Sequence, residues 1–143
     1  MKKHIVALCF AFLFTSVLCA QKLDSKDVPA VVKSALESKY TQAKNVTWEK
    51  EKGNYEANWG GKSGEDNSVQ FTPSGDFIEI EKAISVNQLP KSINSYVKEH
   101  YKGAKITEAG KVTDAKGKIS YEIEVNRKDL VFDEKGNFVK SED

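Results

Sequence analysis

One stretch of this sequence is written twice. Phe71-Thr72-Pro73-Ser74-Gly75-Asp76-Phe77 returns as Phe132-Asp133-Glu134-Lys135-Gly136-Asn137-Phe138, with Phe71 over Phe132, Gly75 over Gly136 and Phe77 over Phe138, each 61 positions apart. Both read as strand, tight turn and strand, with Gly where positive φ is needed. A helical face precedes each copy at the same offset. Val28-Pro29 leads into apolar Val32, Ala35, Leu36 and Tyr40; Leu89-Pro90 leads into Ile93, Tyr96, Val97 and Tyr101. Such spacing lines one face of an α-helix, Pro suits its first turn, and Lys102-Gly103 supplies a stop for the second. A duplicated unit of about 57 residues buries too little surface to be secure alone, which favours two units built into one domain.

Strand text follows each helix. In the first copy it covers 45–51, 54–60, 68–72 and 76–84; in the second, 106–112, 118–126, 129–133 and 137–140. Ile119, Tyr121, Ile123 and Val125 alternate with Ser120, Glu122 and Glu124, and Tyr55, Ala57 and Trp59 alternate with Glu56 and Asn58. Alternation of this kind marks a sheet with one buried and one wet face, common in antiparallel sheets. The fold class is therefore α+β. A helix plus four antiparallel strands occurs twice, about 28–84 and 89–140, with both helices packed on one sheet face. The copies differ in length at their hairpins. Five extra residues fall around 113–117 of the second copy and are returned where the first copy spends Gly60 to Asn67.

Residues 1–20 read as a secretory signal peptide: Lys2-Lys3, an apolar run from Ile5 to Phe14, and a small-residue ending with cleavage after Ala20. The run is too short for a spanning helix, so the chain is not read as an integral membrane protein. Lipidation at Cys19 is the alternative reading. Cleavage leaves 123 residues, a single domain over 21–143, periplasmic or secreted. Losing Lys2 and Lys3 turns the formal charge of +1 into −1. With both signs interspersed there is no footprint for nucleic acid. Cys9 and Cys19 both leave with the leader, so packing alone holds the mature domain, and thiol chemistry is excluded.

The repeated pattern resembles the PepSY-like, β-lactamase-inhibitor-like exported proteins of Bacteroidetes. The residues carrying the likeness are Val28-Pro29, Tyr40, Trp48-Glu49, Tyr55-Glu56-Ala57 and 71–77, with Leu89-Pro90, Tyr101, Tyr121-Glu122-Ile123 and 132–138 in the second copy. The resemblance implies tandem helix-plus-four-strand units and a sheet surface that grips a partner protein. The β-lactamase inhibitors of that shape carry disulfides, whereas the mature chain here has no cysteine.

No nucleophile, cofactor motif or metal-ligand spacing emerges, so no catalytic residue, cofactor or metal is assigned. His100 stands alone among solvated residues, and one His makes a poor transition-metal site. Glu49, Glu51, Glu56, Glu79, Glu81, Glu122 and Glu124 recur at every other strand position and read as the wet face of the sheet, faced by lysines such as Lys50, Lys52 and Lys82. Asp114 to Gly117 and Asp133 to Asn137 read as turns, because lysine occupies positions that a calcium loop needs for oxygen ligands.

The binding candidates are Trp48, Tyr55 and Trp59. Large aromatics default to the core, yet Trp48 and Trp59 break the duplication and aromatics anchor interfaces. The leading functional reading is an exported, non-enzymatic binding module contacting a protein or peptide through its sheet face or the 60–67 loop. The alternatives are a small-ligand carrier with a cleft between helices and sheet, and, behind it, an enzyme.

Overall fold

The computed structural model describes residues 21–142; the signal-peptide reading of residues 1–20 lies outside the described residues. The elements are β1 (Gln21–Leu23), α1 (Ala30–Lys39), β2 (Thr47–Glu51), β3 (Asn54–Trp59), β4 (Asn67–Phe71) and β5 (Phe77–Ala83). They continue with α2 (Lys91–His100), β6 (Ile106–Asp114), β7 (Ile119–Val125), β8 (Lys128–Asp133) and β9 (Phe138–Glu142). All strands join one antiparallel sheet in the order β1 to β9. Among the described residues no helix is long and apolar enough to cross a membrane.

The two helices are built alike. Each has ten residues and starts after a proline N-cap, Pro29 or Pro90, whose fixed φ and missing N–H suit a helix entrance. Each ends on a tyrosine of nearly the same conformation, Tyr40 or Tyr101, whose N–H donates to Leu36 O or Val97 O at 2.8 Å. Gly103 then turns left-handed at φ +77°.

The repeated turns dock on the helix entrances. Gly75 N donates to Thr72 O, and Gly136 N to Asp133 O, both at 2.9 Å, with φ +86° and +78°. A Cβ on Gly75 would lie 3.0 Å from the Val31 carbonyl, and one on Gly136 would collide with Ser92 Oγ and sit 3.0 Å from Pro90 Cβ. Gly136→Ala is therefore expected to cost about 1–3 kcal/mol of stability. Gly117→Ala, at φ +81° but with open space around it, isolates the backbone penalty. Equal urea midpoints for the two variants would show that the turn does not rest on the helix.

Cross-strand partners share a sheet face, so the register sorts the side chains. Leu23, Trp48, Ala57, Val69 and Ile80 form one row on the helix-covered face; Tyr121, Phe132 and Phe138 form another. Both helices pack on this face. Val32 and Leu36 of α1 join Trp48, Ala57, Val69 and Phe71, while Ile93 and Val97 of α2 join Ile123, Val125, Leu130 and Phe132.

Three expectations need correction. First, residues 21–23 lie outside the eight strand stretches read from the sequence but form a ninth strand, β1, pairing Gln21 with Lys50 and Leu23 with Trp48. The pairing is made by backbone groups, and with Leu23 alone turned to the core there is no alternation to read. Second, the extra residues of the second half are not confined to a hairpin. They lengthen β6 to nine residues, because its pairing with β7 starts at Ile106 while its pairing with β5 occupies only the far part, Gly110 to Asp114. Third, two units built into one domain with both helices on one sheet face suggest a shared interior, and the halves do not have one. The buried residues form two clusters, and on the helix side of the β5–β6 seam Lys82 stands opposite Lys111.

Candidate binding surface on the helix-free face

Among the described residues no helix covers the other face of the sheet, and two of its four rows, the first and the fourth, are rich in carboxylates. One runs Glu49, Glu56, Gln70, Glu79 and Asp114 across β2 to β6. Another runs Asn58, Ser68, Glu81, Val112 and Ser120. Gly110, Glu122, Val131 and Lys140 make a third, and Glu108, Glu124, Asp129 and Glu142 a fourth. The sequence expectation that lysines face these carboxylates holds poorly. Lys50 and Lys82 lie on the helix side, where Lys50 Nζ sits 5.0 Å from the Tyr55 ring centroid. The register puts Lys22 and Lys140 on the acidic face, and Lys52 stands at its edge beside Glu51.

These rows floor a groove of about 650 Å³. Glu56, Glu81 and Glu122 line it from the sheet, and Ser63, Glu65 and Asp66 from the loop between β3 and β4. The sheet face and the 60–67 loop thus border one concavity. A second hollow, about 420 Å³, shares Glu56, Ser68, Glu81, Glu122 and Asp129 with it and extends to Gln70, Glu79, Lys140 and Glu142.

Several carboxylates have partners. Glu56 accepts from Ser68 Oγ at 2.8 Å and from Gln70 Nε2 at 3.4 Å, and Glu124 accepts from Thr107 Oγ1 at 2.6 Å. Glu142 pairs with Lys140. Glu81 and Glu122 are placed differently. Gly110 sits inside strand β6, opposite Glu122, and the Glu81 carboxyl fills the space that a side chain at 110 would occupy. Glycine inside a strand commonly marks such a close approach. Burial pushes Glu81 up to about 7, helped by the charges of Glu56 and Glu79. Burial likewise pushes Glu122 up to about 8, with Glu81 and Asp129 adding to it. Glu79 is also raised, by burial and then by Glu142, and Asp129 by burial and then by Glu124.

The sequence-derived aromatic candidates lie on the opposite side. Trp48, Tyr55 and Trp59 are 5%, 8% and 4% exposed, packed beneath α1, and Trp59 meets the Tyr40 ring at 5.5 Å. Of the three, Trp48 borders an opening, a hollow of about 370 Å³ with Leu36, Tyr40, Ala43 and Val46. His100 stacks on Tyr96 at 4.2 Å on the exposed end of α2. Asp114 Oδ1 accepts from the N–H of Lys116 and Lys118, and Asp133 Oδ1 from those of Lys135 and Asn137, so both segments form side-chain-closed turns. No group of His, Cys, Asp and Glu arranged to hold a metal occurs among the described residues.

The acidic residues were visible in sequence, but not that Glu81 and Glu122 converge on Gly110. That convergence depends on the β5–β6 pairing. A glycine at position 110, inside a stretch read as strand, was the available signal.

A family model described as "Putative beta-lactamase-inhibitor-like, PepSY-like" matches the chain twice, over residues 17–62 and 58–140. No curated protein matches the sequence. Among solved structures, one of "putative periplasmic proteins" from Bacteroides eggerthii is similar at 19% identity and TM-score 0.69, covering 80% of this chain and 88% of that one. A DUF2874 family protein from Bacteroides uniformis is similar at 20% identity and TM-score 0.67, with coverage of 80% and 88%. A BLIP-like protein from Bacteroides fragilis follows at 21% and 0.61, with coverage of 80% and 85%. At these identities the likeness establishes the fold.

Proposed function

The chain belongs to this PepSY-like, beta-lactamase-inhibitor-like family, and we propose that it is an exported, non-enzymatic binding module whose helix-free sheet face grips a positively charged segment of a protein or peptide. The observation that carries this reading is the groove of about 650 Å³ in which Glu56, Glu81, Glu122 and Asp129 converge with the 60–67 loop at the rim. Carboxylates outnumber lysines on that face, so its field attracts cationic partners and repels nucleic acid. The family description speaks of inhibitor-like proteins, which fits a protein partner. The signal-like residues 1–20 and the periplasmic description of a structural neighbour support a periplasmic or secreted location.

In the same reading, residues 21–143 are one domain of two units, about 28–84 and 89–140, copied in tandem and joined edge to edge through β5 and β6. The matching helix caps, the matching docked turns and the two family-model matches support it.

A pull-down from periplasmic extract tests the binding role. A partner should be retained at low salt and released at about 1 M salt, where the Debye length falls to about 3 Å. The same partner should be lost from a Glu56→Gln, Glu81→Gln, Glu122→Gln triple variant. A partner that this variant holds as firmly as the parent chain contradicts the assignment.

A second reading rests on the apolar hollow beside Trp48, which has room for a small ligand beneath α1. It expects an apolar fluorescent probe to bind there and to be displaced by Ala43→Phe; uptake that ignores the substitution removes this reading.

A further inference from the structure

We propose that Glu81 and Glu122 form a proton-holding pair across Gly110, so that pH sets the charge of the groove and with it the grip on a cationic partner. The proposal rests on the binding reading above and adds its regulation.

Geometry is the foundation. Glu122 is the direct cross-strand partner of Gly110, and the Glu81 carboxyl lies in the volume left by that residue's missing side chain. The Glu81 carboxyl from β5 and the residue Glu122 of β7 thereby meet at one backbone position of β6, and both line the groove. The surroundings offer them little positive charge. Glu49 faces them from β2, Glu56 from β3, Glu79 from β5, Glu108 and Asp114 from β6, Glu124 from β7, Asp129 from β8 and Glu142 from β9. Glu65 and Asp66 add to these from the loop. Lys140, the nearest lysine in register, is engaged by Glu142; Lys22 lies out on β1 and Lys52 beside Glu51. Ser68 and Gln70, the polar groups of β4, donate to Glu56.

Crowded carboxyls with little compensation retain protons above the ordinary carboxylate range. The direction found for both groups agrees, with burial as the main cause. Such a pair titrates as a whole, in two macroscopic steps. On the acidic side of neutrality the floor is neutral at these two positions; on the alkaline side it gains up to two negative charges where a cation would sit. A partner that binds the ionised form must by linkage expel those protons, so affinity rises with pH.

Two measurements on the full mature chain decide the matter. The first is a carbon-detected NMR titration of the glutamate carboxyls from pH 4 to 10. Midpoints for Glu81 and Glu122 near the values of about 7 and about 8 are expected, and in Glu81→Gln the Glu122 midpoint should fall. The second is the affinity for a deca-arginine peptide, whose charge is constant over this range. It should tighten about fivefold or more between pH 6 and pH 9, and the dependence should flatten in the Glu81→Gln, Glu122→Gln variant.

Midpoints below pH 5.5 overturn the pair whether or not the peptide binds. Near-neutral midpoints with pH-independent affinity overturn the switch and spare the binding surface. Near-neutral midpoints with no binding at any pH sink the binding reading, and the switch with it.

Discussion

Phe132→Ala is expected to cost about 3–5 kcal/mol of folding stability, a large share of the roughly 5–15 kcal/mol available to a domain of this size. Phe132 is fully buried and packs edge-on against Tyr96 at 5.3 Å and Phe138 at 5.8 Å, in the cluster with Ile93 and Leu130. Removing the ring leaves a cavity that α2 and the sheet can close only by moving apart from their other partners. Phe71, at the same place in the first half, is equally enclosed, in a cluster that shares no buried residue with the second. The Phe71→Ala cost should therefore be similar, and the two losses should add to within about 0.5 kcal/mol. Urea unfolding of the single and double variants checks this. A Phe132→Ala midpoint within error of the parent, or strong coupling between the sites, would contradict the picture of two separate cores on one sheet.

The second large effect concerns pH. Glu81 and Glu122 have folded-state values raised to about 7 and about 8, against 4.5 for an unperturbed glutamate. Between about pH 4.5 and 8 the folded chain therefore holds more protons than the unfolded chain. Stability then falls as pH rises through that window and levels off above it. Every tenfold gain in proton affinity on folding corresponds to about 1.4 kcal/mol. Water in the open groove screens part of that, so Glu122→Gln should stabilise the chain by about 2 kcal/mol at pH 9. Near pH 4, where both forms are neutral, the variant and parent should agree. Thermal unfolding at the two pH values provides the comparison. A variant equal to or less stable than the parent at pH 9 would mean that Glu122 is ionised at little cost.

The helices and repeated turns were legible in sequence because their signals are local. A proline entrance, a 3.6-residue apolar period, a tyrosine exit and a glycine where φ must be positive sit within a few residues of one another. The 61-residue offset then carried each feature from one half to the other. What escaped reading was long-range. Nothing near Gln21 announces that it pairs with Lys50, and nothing near Gly110 announces that Glu81 arrives from β5 while Glu122 stands opposite on β7. Alternation separated the wet face from the dry one. The same alternation puts Lys50, between Glu49 and Glu51, and Lys82, next to Glu81, on the dry side, so the expectation that they face the carboxylates failed on that period and left the carboxylates short of partners. Trp48 and Trp59 looked like anchors because they break the repeat. In the fold that asymmetry is used inside the first core, beneath α1.

The most direct test of the acidic face as the binding surface is amide chemical-shift mapping with deca-arginine at pH 8 and low salt. The expected changes fall on Glu56, Ser68, Glu81, Gly110, Glu122 and Asp129, with the exposed sides of α1 and α2 unaffected. Changes confined to the helices or to the hollow beside Trp48, or none at saturating peptide, would contradict it.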